Sequence, residues 1–228
     1  MSIHTLRFGD EGREATRELS RLVESLTPSA LSGFARAREH IATLESLDRQ
    51  YGGNAPLSLE GVDTVVSALL SQFAQWESEA ARGKQQVLPA IDAATLGVAL
   101  WALRHDTELA VVEPVVNALA RRANQARTKE ECAAAFALMQ GVIANVAPRL
   151  AADLERSNPE RPWRLLHANL AITAIRTEDP AMIAFAFDAL DAALPDERAS
   201  FYGEARALAL APGISPTVRE LIEGRLAL

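Results

Sequence analysis

The chain has 228 residues, of which 23 are Lys or Arg and 30 are Asp or Glu, giving a formal net charge of −7. This acidic balance argues against a surface for nucleic acid or for an anionic membrane, since either needs clustered positive charge. The single cysteine, Cys132, excludes an intramolecular disulfide and a thiolate zinc site, and no apolar run in the sequence approaches the roughly 20 residues that span a bilayer.

Four prolines stand where helices would begin, each behind a residue whose side-chain oxygen can cap the first turn. They occur in Thr27-Pro28, Asn158-Pro159, Asp179-Pro180 and Ser215-Pro216. Proline fits the first turn because its missing N–H has no partner there. Apolar residues recur every three to four positions between these points, and no run typical of strands is visible. The sequence therefore predicts an all-α protein of about ten or eleven helices, paired as antiparallel hairpins in an α-solenoid-like array or a multi-helix bundle.

Residues 1–81 predict an N-terminal segment of three helices, at about 11–26, 28–50 and 58–81. Asp48 interrupts the otherwise apolar seam of the second helix. The third helix has the most regular stripe, formed by Val62, Val65, Val66, Leu69, Leu70, Phe73 and Trp76. Its opposite face is polar but nearly uncharged, so we expect that face to pack against another helix, either in this chain or in a second copy.

A linker is predicted at 82–90, followed by a repeat-like array of helical hairpins over 91–228. Helices of this array are predicted near 92–104, 107–126, 128–146, 148–157, 162–177, 180–194, 196–211 and 216–227. Pro114 should kink or split the second of them, because proline has no N–H to donate inside a helix. Thr128 and Glu131 have the spacing of a capping box. Whether the N-terminal segment is a separate domain is left open.

The predicted helix at 180–194 is the most apolar of the array. Its apolar side chains cover an arc of about 200° at helical spacing, and they are Met182, Ile183, Phe185, Ala186, Phe187, Ala189, Leu190, Ala193 and Leu194. Such a helix is expected to pack on two or three sides.

No catalytic set, metal site or cofactor site is predicted. None of the four histidines has the glutamate three residues earlier that a di-iron bundle needs. A Gly-rich loop behind a strand and a Gly-x-Ser-x-Gly elbow are also absent from the sequence. His105 and Glu108 lie close in sequence but at a predicted helix junction, which favours a role in the turn. The sequence therefore favours a protein that is not an enzyme, without deciding the question.

Polar residues that could recognise a ligand are concentrated at the start of the predicted helix 162–177. The candidate binding residues are Arg161, Trp163, Arg164, His167 and Asn169. Arg164 and His167 point toward largely apolar surroundings on a helical wheel, where an unpaired polar group is costly. In one interpretation both side chains find partners inside the protein. In the other, Trp163, Arg164 and His167 form the wall of a groove for a peptide carboxylate or a small anion; catalysis by His167 is a third.

These patterns favour a helical protein-interaction module, such as an adaptor, scaffold or regulatory subunit. It would bind a partner helix or peptide in a groove between hairpins, or associate with itself, without contacting nucleic acid or membrane. The alternative is a small-molecule-binding or enzymatic bundle with a pocket near Arg164 and His167, and a third hypothesis is a structural homodimer. Lys84 and Lys129 are the only lysines, which indicates a GC-rich bacterial genome. Met1 to Asp10 lacks a signal-peptide pattern, so we expect a cytoplasmic protein.

Overall fold

A computed structural model of the chain describes residues 33–52, 56–57, 60–83, 87–150, 162–210 and 215–227. Within these ranges it contains nine α-helices, one 3-10 turn and no strand, which confirms the predicted all-α class. The helices are α1 (Phe34–Tyr51), α2 (Val62–Ala81), α3 (Leu88–Arg104), α4 (Glu113–Gln125), α5 (Lys129–Leu150), α6 (Pro162–Thr177), α7 (Pro180–Ala193), α8 (Arg198–Ala209) and α9 (Pro216–Leu226). The 3-10 turn spans Pro195–Glu197. The predicted helix at 11–26 lies outside the described residues.

Two of the predicted helix starts are confirmed by their capping bonds. Oδ1 of Asp179 accepts bonds from the backbone N–H groups two and three residues further on, at 2.8 and 3.2 Å. Thr128 Oγ1 accepts from the N–H of Glu131 at 3.2 Å, and Glu131 Oε2 accepts from the N–H of Thr128 at 3.3 Å, as a capping box requires. Ser215 precedes α9 without a side-chain capping bond, so that part of the prediction is wrong.

The predicted helix at 107–126 is shorter than expected, and Pro114 stands in its first turn instead of kinking it or splitting it in two. α4 begins one residue before this proline, and the residues ahead of it are not helical. The amide of Asn145 bonds to this irregular segment on both sides: it accepts from the N–H of Leu109 at 2.9 Å and donates to the carbonyl of Thr107 at 3.0 Å. The Asn145 side chain thus satisfies a backbone N–H and a backbone carbonyl that would have bonded within the helix if this segment were helical.

Two helix boundaries differ from those expected. α3 begins at Leu88, inside the predicted linker at 82–90, and Pro89 is accommodated in its first turn. α5 continues through Pro148 to Leu150, where the sequence predicted the start of a new helix. A proline near the end of a helix disturbs only the final turn, so it does not have to mark a start.

The chain divides into two compact units. Unit 1 comprises residues 1–122 with 141–148, and unit 2 comprises 123–140 with 149–228. α5 is therefore divided between the units: its residues up to 140 belong to unit 2, and residues 141–148 belong to unit 1. The predicted N-terminal domain at 1–81 stays a prediction.

The core of unit 1 is built around α2, which packs against both α1 and α3. Its stripe is buried as predicted except for Val65, which is half-buried, and the side chains with no exposure are Val66, Leu69, Leu70, Phe73 and Trp76. On the uncharged face of the same helix, Gln72 lies close against Gly33 at the start of α1. Gln72 therefore packs within the chain, whereas Thr64 and Ser71 on the same face are exposed.

Unit 2 contains the α6–α7 hairpin and the helices α8 and α9. α7 packs against α6, α9 and the 3-10 turn, so it has neighbours on more than one side, as its apolar arc predicted. Its buried residues are Ile183, Ala186, Phe187 and Leu190. The arc is nevertheless wider than the buried surface, because Phe185, which was counted in it, is 51% exposed.

Candidate functional site

Four of the five candidate binding residues lie on α6, and Arg161 lies outside the described residues. Trp163 and His167 are one helical turn apart, and their rings form an edge-on contact with 4.3 Å between centroids. Their exposures are only 8% and 3%. Among the described residues neither ring nitrogen of His167 has a hydrogen-bond partner, and burial lowers the pKa of this imidazole to about 4. The pair is therefore part of the core, and its histidine is neutral at pH 7.

Arg164 has the internal partner that the first interpretation expected. Its Nε donates to both carboxylate oxygens of Glu197 in the 3-10 turn, at 2.7 and 2.6 Å. About a third of each side chain is exposed, at 36% and 32%, so water screens the pair and its stabilising effect is small. An external carboxylate would have to displace Glu197 before it could bind this guanidinium.

Asn169 lies on a different stripe of α6, which continues through Thr173 and Arg176. Two residues along a helix correspond to a rotation of about 200°, so Asn169 and His167 do not share a face. The stripe does not point only to solvent: Thr173 is buried with its Oγ1 3.8 Å from Met139 Sδ. The guanidinium of Arg176 donates to the carbonyls of Ala123, in the last turn of α4, and Ala126, just beyond it. The structure thus brings Trp163 and His167 together but does not gather all the candidates into one pocket.

Two large apolar side chains of the α6–α7 hairpin are exposed, which the sequence did not predict. Five large apolar side chains are exposed among the described residues, and three of them end helices or follow them: Tyr51, Leu210 and Leu226. The remaining two, Ile172 on α6 and Phe185 on α7, lie within helices and are 45% and 51% exposed. The Phe185 ring meets that of Phe136 on α5 edge-on, with 6.2 Å between centroids. The available signal was Asp188, which follows Phe185 by three residues and marks the solvent side of α7.

The acidic side chains of α7 hold unit 2 together. Asp191 accepts hydrogen bonds from the hydroxyl of Tyr202 and from Arg225, each at 2.9 Å, and forms an ion pair with Arg198, whose Nε lies 2.9 Å from Oδ1. Arg225 also donates to Asp188 at 2.5 Å, and burial together with the bond to Asp191 raises the pKa of Tyr202. This network joins α7 to α8 and α9, so these carboxylates serve as structural acceptors.

A similar network joins three helices of unit 1. The guanidinium of Arg121 on α4 bonds both oxygens of Asp92 on α3, at 2.8 and 2.6 Å, and Glu77 on α2 at 2.7 Å. Burial alone would lower the pKa of Arg121, but the bonds to the two carboxylates outweigh it and raise that pKa. Asn117 donates to the same glutamate at 3.2 Å. These acids too are occupied by partners on neighbouring helices.

Within the part of the chain that the structure describes, no three His, Cys, Asp or Glu side chains are arranged to hold a metal ion. Over the same ranges, no helix is both long and apolar enough to cross a membrane. Comparisons with family models, with curated proteins and with solved structures find no match for this chain.

Proposed function

We propose that this chain is a helical protein-interaction module, an adaptor, scaffold or regulatory subunit, that binds a helix of a partner protein on the α6–α7 hairpin. The observation that carries the proposal is the exposure of Phe185 and Ile172, the two large apolar side chains that are exposed in the interior of helices, away from their ends, among the described residues. Apolar side chains that gain cover in a complex contribute to affinity roughly in proportion to the area removed from water.

The outer side of α7 suits an apolar helix face. Its exposed positions are Pro180, Ala181, Phe185, Asp188 and Ala192, among which Asp188 is the only charged residue. The exposed Ala181 and Ala192, on either side of Phe185 along the helix, let a second backbone approach closely. The phenyl ring between them provides an anchor. Phe136 supports that ring from α5, so a partner would meet an anchor already held in place.

The pairing of the acidic groups favours binding over catalysis. General acids and bases need a free proton-transfer atom close to a substrate. Asp92, Asp191 and Glu197 are each engaged by an arginine within the same unit. We further propose that the module acts in a bacterial cytoplasm; the predominance of arginine over lysine in its composition supports the bacterial assignment.

The test is site-specific photo-crosslinking in cells of the source organism, with the photoreactive residue at position 185 or, as a control, at Ala199. Ala199 is exposed on α8, also in unit 2. We expect one defined partner to be crosslinked from position 185 and not from position 199. With that partner purified, Phe185→Asp should weaken binding at least about tenfold, whereas Ala199→Asp should leave it unchanged. A crosslink to a second copy of this chain would identify self-association, and equal crosslinking from both positions would overturn the proposal.

The alternative function, a small-molecule or enzymatic site near Arg164 and His167, is favoured by one observation: the imidazole has no partner. It is disfavoured by the low exposure of His167 and by the pairing of Arg164 with Glu197. A thermal-shift screen with small organic acids tests it, since a ligand specific for the folded state raises stability with the logarithm of its concentration over Kd. A shift for wild type that disappears in Arg164→Met would establish the alternative.

A further inference from the structure

His167 differs from the other histidine that is almost completely buried in the described residues. His105 in unit 1 has no exposure, and its Nε2 lies 2.8 Å from Oδ1 of Asp48. This carboxylate can accept a hydrogen bond from the imidazole. His167 is 3% exposed and has no partner at either nitrogen. A buried polar group without a partner is destabilising, and a buried unpaired charge is more so.

Among the described residues, the elements packed around α6 provide no acceptor for a protonated His167. The buried residues of α7 are all apolar. Its two acids are paired: Asp188 with Arg225, and Asp191 with Arg198, Arg225 and Tyr202. In the 3-10 turn, Glu197 is bonded to Arg164 and Asp196 is exposed.

The charged groups of the other neighbouring helices are also engaged elsewhere or exposed. At the start of α5, Lys129 pairs with Glu178, while Glu130 and Glu131 are exposed. On α6 itself, Arg176 bonds backbone carbonyls at the end of α4. Burial is the cause of the lowered pKa of His167.

We infer that His167 is an acid-sensitive element of unit 2: uptake of a proton by its imidazole is incompatible with the packed α6–α7 hairpin, so mild acid shifts the unit toward its unfolded form. This inference does not depend on the proposed partner binding.

The direction and pH range follow from proton linkage. The imidazole of the unfolded chain takes up a proton as the pH falls through its ordinary pKa near 6.5, whereas the folded form stays neutral until about pH 4. The contribution of neutral His167 to stability is therefore fully present above pH 6.5 and is lost progressively between pH 6.5 and 4. By linkage the folding equilibrium constant should fall about 30-fold from this group alone between pH 7.5 and pH 5.

Cys132 offers a specific probe for the experiment, since it is the only cysteine of the chain and is buried in unit 2. Urea titrations of the full chain at pH 7.5 and pH 5.0, read by pulse labelling of this thiol with an aromatic disulfide, give the fraction of unit 2 that is open. Labelling rates are normalised to the urea-denatured chain at the same pH. The variants are His167→Leu, which removes the titrating group, and His40→Leu, which removes a partly exposed histidine of unit 1.

Between pH 7.5 and pH 5.0 the folding equilibrium constant falls by some factor in each protein. We expect that factor to be about 30 times larger for wild type and for His40→Leu than for His167→Leu. Titrating carboxylates affect all three proteins alike and cancel in this difference. An equal loss in His167→Leu and wild type would overturn the inference. If His167→Leu does not fold, NMR titration of the wild-type imidazoles decides the question: a neutral His167 at pH 5 supports the inference, and an ordinary pKa near 6.5 overturns it.

Discussion

The indole Nε1 of Trp101 donates a 2.7 Å hydrogen bond to Oδ1 of Asp48, joining the end of α3 to the end of α1. The same oxygen lies 2.8 Å from Nε2 of His105, and Oδ2 lies 3.4 Å from the guanidinium of Arg104. The rings of Trp101 and His105 are 4.3 Å apart between centroids. Asp48 is thus one acceptor shared by three donors from the last turn of α3 and the residue after it, which fixes where the two helix ends meet.

Replacing Asp48 should destabilise unit 1 strongly. We expect Asp48→Ala to lower the free energy of unfolding by about 2–4 kcal/mol, because it leaves a buried indole N–H and a buried imidazole without their acceptor. Urea denaturation followed by fluorescence measures the change. Glu39→Ala is the matched control: it removes an exposed acid from the same helix and should change stability by less than about 0.5 kcal/mol. Equal effects of the two substitutions would contradict this role of Asp48.

Arg176 should stabilise the end of α4 by bonding the carbonyls of Ala123, which also accepts from the N–H of Ala126, and of Ala126 itself. We expect Arg176→Met, which keeps most of the side-chain length, to reduce stability by about 1–3 kcal/mol, since two hydrogen bonds from a charged donor are lost. Arg122→Met provides the control, because Arg122 is an exposed arginine in the last turn of α4. Hydrogen exchange at the last amides of α4 should accelerate in the Arg176 variant alone; unchanged protection there would contradict the capping role.

The helices could be predicted from the sequence, whereas most of the bonds between them could not. Repeating apolar positions identify α2 and its buried face from local spacing alone, and the oxygen of Asp179 identifies a helix start in the same way. Asp48 was recognised only as an interruption of an apolar seam, because its partners lie more than 50 residues away and meet it only through the packing of α1 with α3.

The candidate site shows the same limit. The internal pairing of Arg164 agrees with the first of the three interpretations of the sequence, although the identity of Glu197 as the partner depends on the fold. The same interpretation expected an internal partner for His167, and among the described residues this part is wrong. The missing partner of His167 also has no local signal, since it reflects what neighbouring helices do not provide. Phe185 was placed in the core because an apolar arc does not show how much of its width the neighbouring helices cover.

Trp163 should behave as a core residue. With the ring 8% exposed, we expect Trp163→Ala to reduce the free energy of unfolding by about 3–5 kcal/mol, as large-to-small changes of buried aromatics do. The cavity would also let water reach His167, so the pKa of that imidazole should rise from about 4 toward its ordinary value. Urea denaturation and NMR titration measure the two effects. Phe185→Ala is the control, because Phe185 on α7 is half-exposed, and it should reduce the free energy of unfolding by less than about 2 kcal/mol. A similar loss in both variants would place Trp163 outside the core.

The end of α3 offers a stabilising substitution. Asp106 follows the helix with φ of 55°, and the N–H of Thr107 bonds the carbonyl of Ala102 at 2.9 Å, as in a Schellman motif with its left-handed residue at Asp106. Glycine adopts that conformation without strain, so Asp106→Gly should raise the free energy of unfolding by about 0.5–1 kcal/mol after allowance for the greater freedom of glycine in the unfolded chain.

Alanine at the same position separates backbone conformation from loss of the exposed carboxylate. Asp106→Ala removes the acid but gains no freedom at positive φ, so it should be less stable than wild type. The expected order of thermal midpoints is glycine, then aspartate, then alanine. An alanine variant as stable as the glycine variant would show that the charge, rather than the left-handed backbone, limits stability at this helix end.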